Sequence, residues 1–152
     1  MARVNEENSQ FLDKRKAANI MQEFIGKQEA GEWDVTSEML AVKQGSGTAH
    51  VLATPALIAC MENVCMRLVQ PALAEGITTV GTHVDVAHLA PTPEGARLRV
   101  TAELVETDGR RFVFRVEAED PCGRIGEGTM ERQSVRLAGF EEKAAGRTEK
   151  RP

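Results

Sequence analysis

The chain has 152 residues, 41% of them apolar and 28% charged, with a formal net charge of -4, the balance of one soluble globular domain rather than of a disordered segment. The opening MARVNEENSQ is polar and no apolar stretch approaches the roughly 20 residues of a bilayer span, so no signal peptide or membrane helix is expected. Aromatic content is 4% and tyrosine is absent, which together with the acidic balance argues against a nucleic-acid surface. Of the three cysteines, Cys60 and Cys65 lie five apart and Cys122 is remote, with no CxxC spacing. That is no disulfide framework, and a reducing cytoplasm is expected.

In chain order, residues 1–32 read as a helical extension. Ser9 is placed to cap a helix in which Phe11, Leu12, Ala18, Met21, Phe24 and Ile25 recur near helical spacing, ending at Gly26 or Gly31. Residues 33–42 read as extended, with Val35, Met39 and Ala41 in alternate phase, and Gly45-Ser46-Gly47 breaks the strand. Thr54-Pro55 supplies a capping hydroxyl and a proline at the start of an apolar run that lasts to Val69 before Pro71. A helix apolar nearly all round is a buried one, so this is the central helix. Beyond Gly76 the period changes to alternation: residues 77–90, 96–107, 111–120 and 124–137 read as strands, joined by a tight turn at Asp108-Gly109 and a looser one at Pro121-Cys122-Gly123. One strand, a buried helix and four antiparallel strands imply an α+β sheet curled around that helix over residues 33–140. Residues 141–152 are charged and read as a flexible tail.

No phosphate-binding loop, dinucleotide fingerprint or HExxH motif occurs, and no metal site is expected. Glu62 is the only charged residue between Thr54 and Met66. A lone carboxylate in an apolar interior costs several kcal/mol, so Glu62 is partnered, protonated, turned to solvent at the helix edge, or part of a cleft. Strand phase sets Val80, Thr82, Val84, Val86 and His88 on one face and Gly81, His83, Asp85, Ala87 and Leu89 on the other. His88 thus ends a row of valines, as either a satisfied core histidine or an acid–base group. Thr54 lies at a helix amino end, whose free N–H groups suit a carbonyl oxygen or oxyanion. Gly81 permits a close approach, and Arg132 is either an ion-paired strand residue or a ligand contact.

Together, Val51-Leu52-Ala53-Thr54-Pro55-Ala56-Leu57, Glu62, Gly81-Thr82 with His88 and Ala90-Pro91-Thr92-Pro93, and Gly126-Glu127-Gly128-Thr129-Met130-Glu131-Arg132 resemble the fluoroacetyl-CoA thioesterase-like branch of the hotdog-fold thioesterases. The resemblance spans residues 35–137. It implies a hotdog fold, a homodimer with sites near the subunit interface, and hydrolysis of an acyl-CoA thioester with a short or small acyl group. It implies catalytic roles for Thr54, Glu62 and His88, substrate contacts at Gly81 and Arg132, and no cofactor other than the CoA of the substrate. One departure is Gly45-Ser46-Gly47-Thr48-Ala49-His50, which lacks the phenylalanine of the family's lid. Another is Met130, where a histidine is often seen. Two further expectations stand beside hydrolysis: a non-catalytic acyl-CoA-binding dimer and a hotdog 3-hydroxyacyl thioester dehydratase.

Overall fold

A computed structural model describes residues 21–148. Five strands, β1 (Gln28–Asp34), β2 (Ile77–His88), β3 (Arg97–Thr107), β4 (Arg111–Asp120) and β5 (Gly123–Arg136), form one antiparallel sheet in the order β1-β3-β4-β5-β2. Among the described residues the helices α1 (Ala41–Gln44), α2 (Thr54–Val69) and α3 (Leu137–Ala145) accompany it. The chain leaves β1 at one edge, crosses the sheet through α2 and enters β2 at the opposite edge. The expected wrapping of a sheet around a central helix is therefore present.

The core lies between α2 and the inner row of the sheet. On β3 and β4 the buried positions alternate, Leu98, Val100, Ala102 and Leu104 against Phe112, Phe114, Val116 and Ala118, because the side chains of a strand project to opposite faces in turn. Val100 opposes Ala118, and Leu104 opposes Phe114, so the apolar rows of the two strands lie side by side. From α2, Leu57, Met61, Val64, Cys65 and Leu68 meet this row at helical spacing. Full burial of such a side chain stabilises the fold by about 1.5–3 kcal/mol. Gly126 lets the helix sit close over β5, since a Cβ there would stand 3.0 Å from Leu57 Cδ2.

Five expectations are corrected. Met21 and Gln22 are helical and the chain turns at Gly26, at φ 89°, but β1 already occupies residues 28–34, so the last part of the supposed helical extension is an edge strand hydrogen-bonded to β3. Ser9, Phe11, Leu12 and Ala18 lie outside the described residues. Residues 37–44 are a 3-10 turn followed by α1, closed by Gly45 in the left-handed region. Helix α2 buries one face only: Thr54, Ala59, Asn63 and Arg67 are exposed, because among the described residues the helix has the sheet on one side and nothing packed on the other. Residues 137–145 form α3 and 146–148 a 3-10 turn, so most of the supposed tail is ordered as helix. The last correction concerns the phase of β2 and belongs to the site.

Candidate active site

Ala53, in extended conformation, is the residue before α2, and no side chain caps the helix. Thr54 is thus the first helical residue rather than the cap. Its hydroxyl is turned to the sheet, where Oγ1 lies 2.8 Å from His88 Nδ1 at the end of β2. With the imidazole protonated at Nε2, the hydroxyl donates to Nδ1. His88 Nε2 is buried and has no hydrogen-bond partner among the described residues. Burial pushes the imidazole below its ordinary pKa of 6.5, opposed in part by a hydrogen bond with the backbone of Ala90.

Eight residues along α2, Glu62 stands at the edge of the buried face with 40% of its side chain exposed. Its Oε2 accepts a hydrogen bond of 3.0 Å from Arg132 Nη1. Arg132, on the inner row of β5, is itself buried and fixed by two further bonds, from Nε to Thr79 Oγ1 and from Nη2 to the Thr79 carbonyl, each 2.8 Å. A planar guanidinium held at two points cannot swing, so the carboxylate it grips is fixed as well. The carboxylate rests against β2 where that strand carries Gly81: a Cβ there would lie 2.6 Å from Glu62 Oε2. Gly81 is there for space and not for backbone freedom, since its φ is not positive. Thr79 escaped the sequence reading; its position two residues before Gly81 was the available signal, because the two share a face.

Both clusters depend on one irregularity. Gly81 pairs with Arg132 and His83 with Glu131, so Thr82 is an extra residue in β2. A bulge of one residue inverts the side-chain phase beyond it. Before it Thr79 and Gly81 face α2; beyond it Val86 packs on the core and His88 meets Thr54. The even phase that grouped Val80 and Thr82 with His88, and set Gly81 opposite, fails at this bulge.

All five residues implied by the resemblance are therefore on the inner side, in two groups. Thr54 and His88 touch, and Glu62, Arg132 and Gly81 touch. Within one chain the groups remain apart: eight residues of helix separate Thr54 from Glu62, a rise of about 12 Å. Among the described residues no group of His, Cys, Asp and Glu could hold a metal ion, and no helix is long and apolar enough to cross a membrane. Burial pushes the Cys60 thiol up to about 11 and the Cys65 thiol to about 12, so neither is a nucleophile near neutral pH.

The model of the fluoroacetyl-CoA-specific thioesterase family matches residues 35–137. The fluoroacetyl-CoA thioesterase of Streptantibioticus cattleyicolor is 41% identical over 99 residues, which cover 65% of this chain and 71% of that protein. A solved structure of the fluoroacetyl-CoA thioesterase FlK superposes with a TM-score of 0.77 at 32% identity, over 84% of this chain and 97% of that one. A thioesterase superfamily member from Thermus thermophilus gives a TM-score of 0.75 at 31% identity, over 82% of this chain and 93% of the other. The family model covers most of the chain and the superpositions extend over more than four-fifths of it, and the chain belongs to the fluoroacetyl-CoA-specific thioesterase family, with the hotdog fold.

Proposed function

We propose that the protein hydrolyses the thioester of a small acyl-CoA to the free acid and CoA, using Thr54, Glu62 and His88, with Gly81 and Arg132 shaping the acyl site. The observation that carries this reading is the carboxylate of Glu62, gripped by a buried arginine and abutting a glycine. A fixed carboxylate at an open edge is suited to take a proton from water, or to attack the thioester carbon and form an anhydride that water then opens. Two N–H groups at the start of α2, of Thr54 and Ala56, face no earlier turn and can polarise the carbonyl. His88 passes the proton to the departing thiolate. The reaction needs no metal and no cofactor beyond the CoA of the substrate. Family membership supports a small acyl group; the segment 45–50, without an aromatic, supports selectivity broader than fluoroacetyl.

The protein acts in this reading as a homodimer. β2 is an edge strand, with residues 81–85 exposed and Val84 at 41%, and an unpaired edge is a template for a second strand. Two such edges pairing antiparallel about a two-fold axis near Asp85, with the bulge counted, set His88 of the partner subunit opposite Gly81. The partner's Nε2 then reaches the Glu62 carboxylate, which joins the two groups that one chain keeps apart. The reduced, buried Cys60 and Cys65 fit a cytoplasmic setting.

Thiol release from acetyl-CoA tests the activity. Glu62→Gln keeps an oxygen for Arg132 and so keeps the fold, but loses the base or nucleophile. Turnover should fall by about two to four orders of magnitude. Unaltered release of CoA by that variant would remove Glu62 from the chemistry.

A further inference from the structure

Where β2 begins and β5 ends, helix α3 and the β3–β4 turn enclose a cleft of about 730 Å³. Arg110, Arg136 and Lys143 line it, with Ile77, Val135 and Phe140 as its apolar wall. Its walls are tied together: Ser134 N donates to the Arg110 carbonyl at 2.7 Å, and Leu137 N to the Gly76 carbonyl at 3.0 Å. Like Lys27, Lys43 and Arg147, and unlike the seven described arginines that each meet a carboxylate within 4.0 Å, these three cations have no carboxylate partner among the described residues. The one carboxylate in the cleft, Asp108, has Oδ1 accepting from the backbone N–H groups of Arg110 and Arg111, which satisfies its charge locally. A concave surface with three unpaired cations and a phenyl ring 43% exposed, on a chain of net charge -4, is built for a polyanion that carries a flat ring.

We infer that this cleft holds the phosphorylated adenine nucleotide of CoA, with Arg110, Arg136 and Lys143 on its phosphates and Phe140 against the base. The inference rests on the acyl-CoA reading above and adds the half of the substrate remote from the thioester. The reach is right: Ile77 at the cleft lies four residues along β2 from Gly81, about 13 Å at 3.3 Å per residue, a span that an extended pantetheine arm bridges. It also chooses the carrier, because an acyl group on a carrier protein brings no adenine nucleotide.

The test compares wild type with an Arg110→Gln, Arg136→Gln, Lys143→Gln triple variant on acetyl-CoA and on acetyl-pantetheine, which lacks the nucleotide. The ratio of kcat/KM for acetyl-CoA over acetyl-pantetheine should fall roughly tenfold or more in the variant, through KM. A ratio unchanged between the two proteins overturns the inference. So does a variant impaired on an acyl-carrier-protein substrate but not on acetyl-CoA, which would make the cleft a dock for an acidic protein. If wild type hydrolyses neither thioester, the hydrolase reading fails, and calorimetric titration with adenosine 3′,5′-bisphosphate still decides the cleft. Binding weakened roughly tenfold in the variant supports it, and equal or absent binding in wild type and variant overturns it.

Discussion

At the level of single residues, the tightest constraint in the site is the missing side chain at position 81. A methyl group there would stand 2.6 Å from Glu62 Oε2, and the carboxylate, the outer end of its side chain, would be pushed off its bond to Arg132 while the backbone stayed. Gly81→Ala should therefore leave the melting temperature within a few degrees of wild type yet lower kcat/KM by about a hundredfold, the scale expected of a 1 Å misplacement. Steady-state kinetics beside a thermal melt would check it, and full activity in the variant would show that the approach is not functional. The cysteines give an independent check on burial. Cys60 and Cys65 are buried with raised thiol pKa values, and Cys122 is exposed in the β4–β5 turn. In native protein near neutral pH a thiol reagent should label Cys122 alone, with the other two released by denaturant. Early labelling of Cys65 would contradict the packing of α2.

At the level of elements, β2 holds the site together through its bulge. Thr82 is the extra residue between the pairs Gly81–Arg132 and His83–Glu131, so its deletion preserves the pairing on both sides. Deletion of Asp85, beyond the bulge, instead shifts Val86 and His88 to the outer face. We expect the Thr82 deletion to keep a cooperative urea transition and the Asp85 deletion to lose several kcal/mol, since inverting a strand exposes its apolar row. Loss of folding in both would mean that the bulge itself is indispensable. The same element marks where sequence reading stopped. Alternation located β2 and its ends within two residues, and it identified His88 as inward, but a single-residue bulge leaves no mark in an alternating text. The Thr-Pro pair located the start of α2, yet it could not say that the hydroxyl would turn to an imidazole 34 positions away instead of capping the helix.

For the molecule as a whole, the proposed homodimer gives a prediction through the titration of His88. In one chain burial lowers its pKa, so the unfolded chain binds the proton more readily than the folded one. The linked stability is full above the ordinary value of 6.5 and is lost as pH falls through the folded value. A partner's Glu62 carboxylate at Nε2 acts in the opposite sense and raises the folded pKa. In Glu62→Gln the imidazole should thus titrate at lower pH than in wild type, as followed by NMR of the ring protons. Identical curves would place no carboxylate across the interface. The sequence by itself determined the class of fold, the central helix and four of the five strands, because periodicity and turn chemistry are local facts, and its resemblance to a known family singled out the five candidate residues. Only the tertiary structure decided that residues 28–34 join the sheet, that Arg132 and Thr79 hold Glu62, and that Gly81 and His88 face the same side. Those depend on which strands become neighbours and in what register, and hydrogen bonds between residues 53 to 70 positions apart fix that only once the chain has closed.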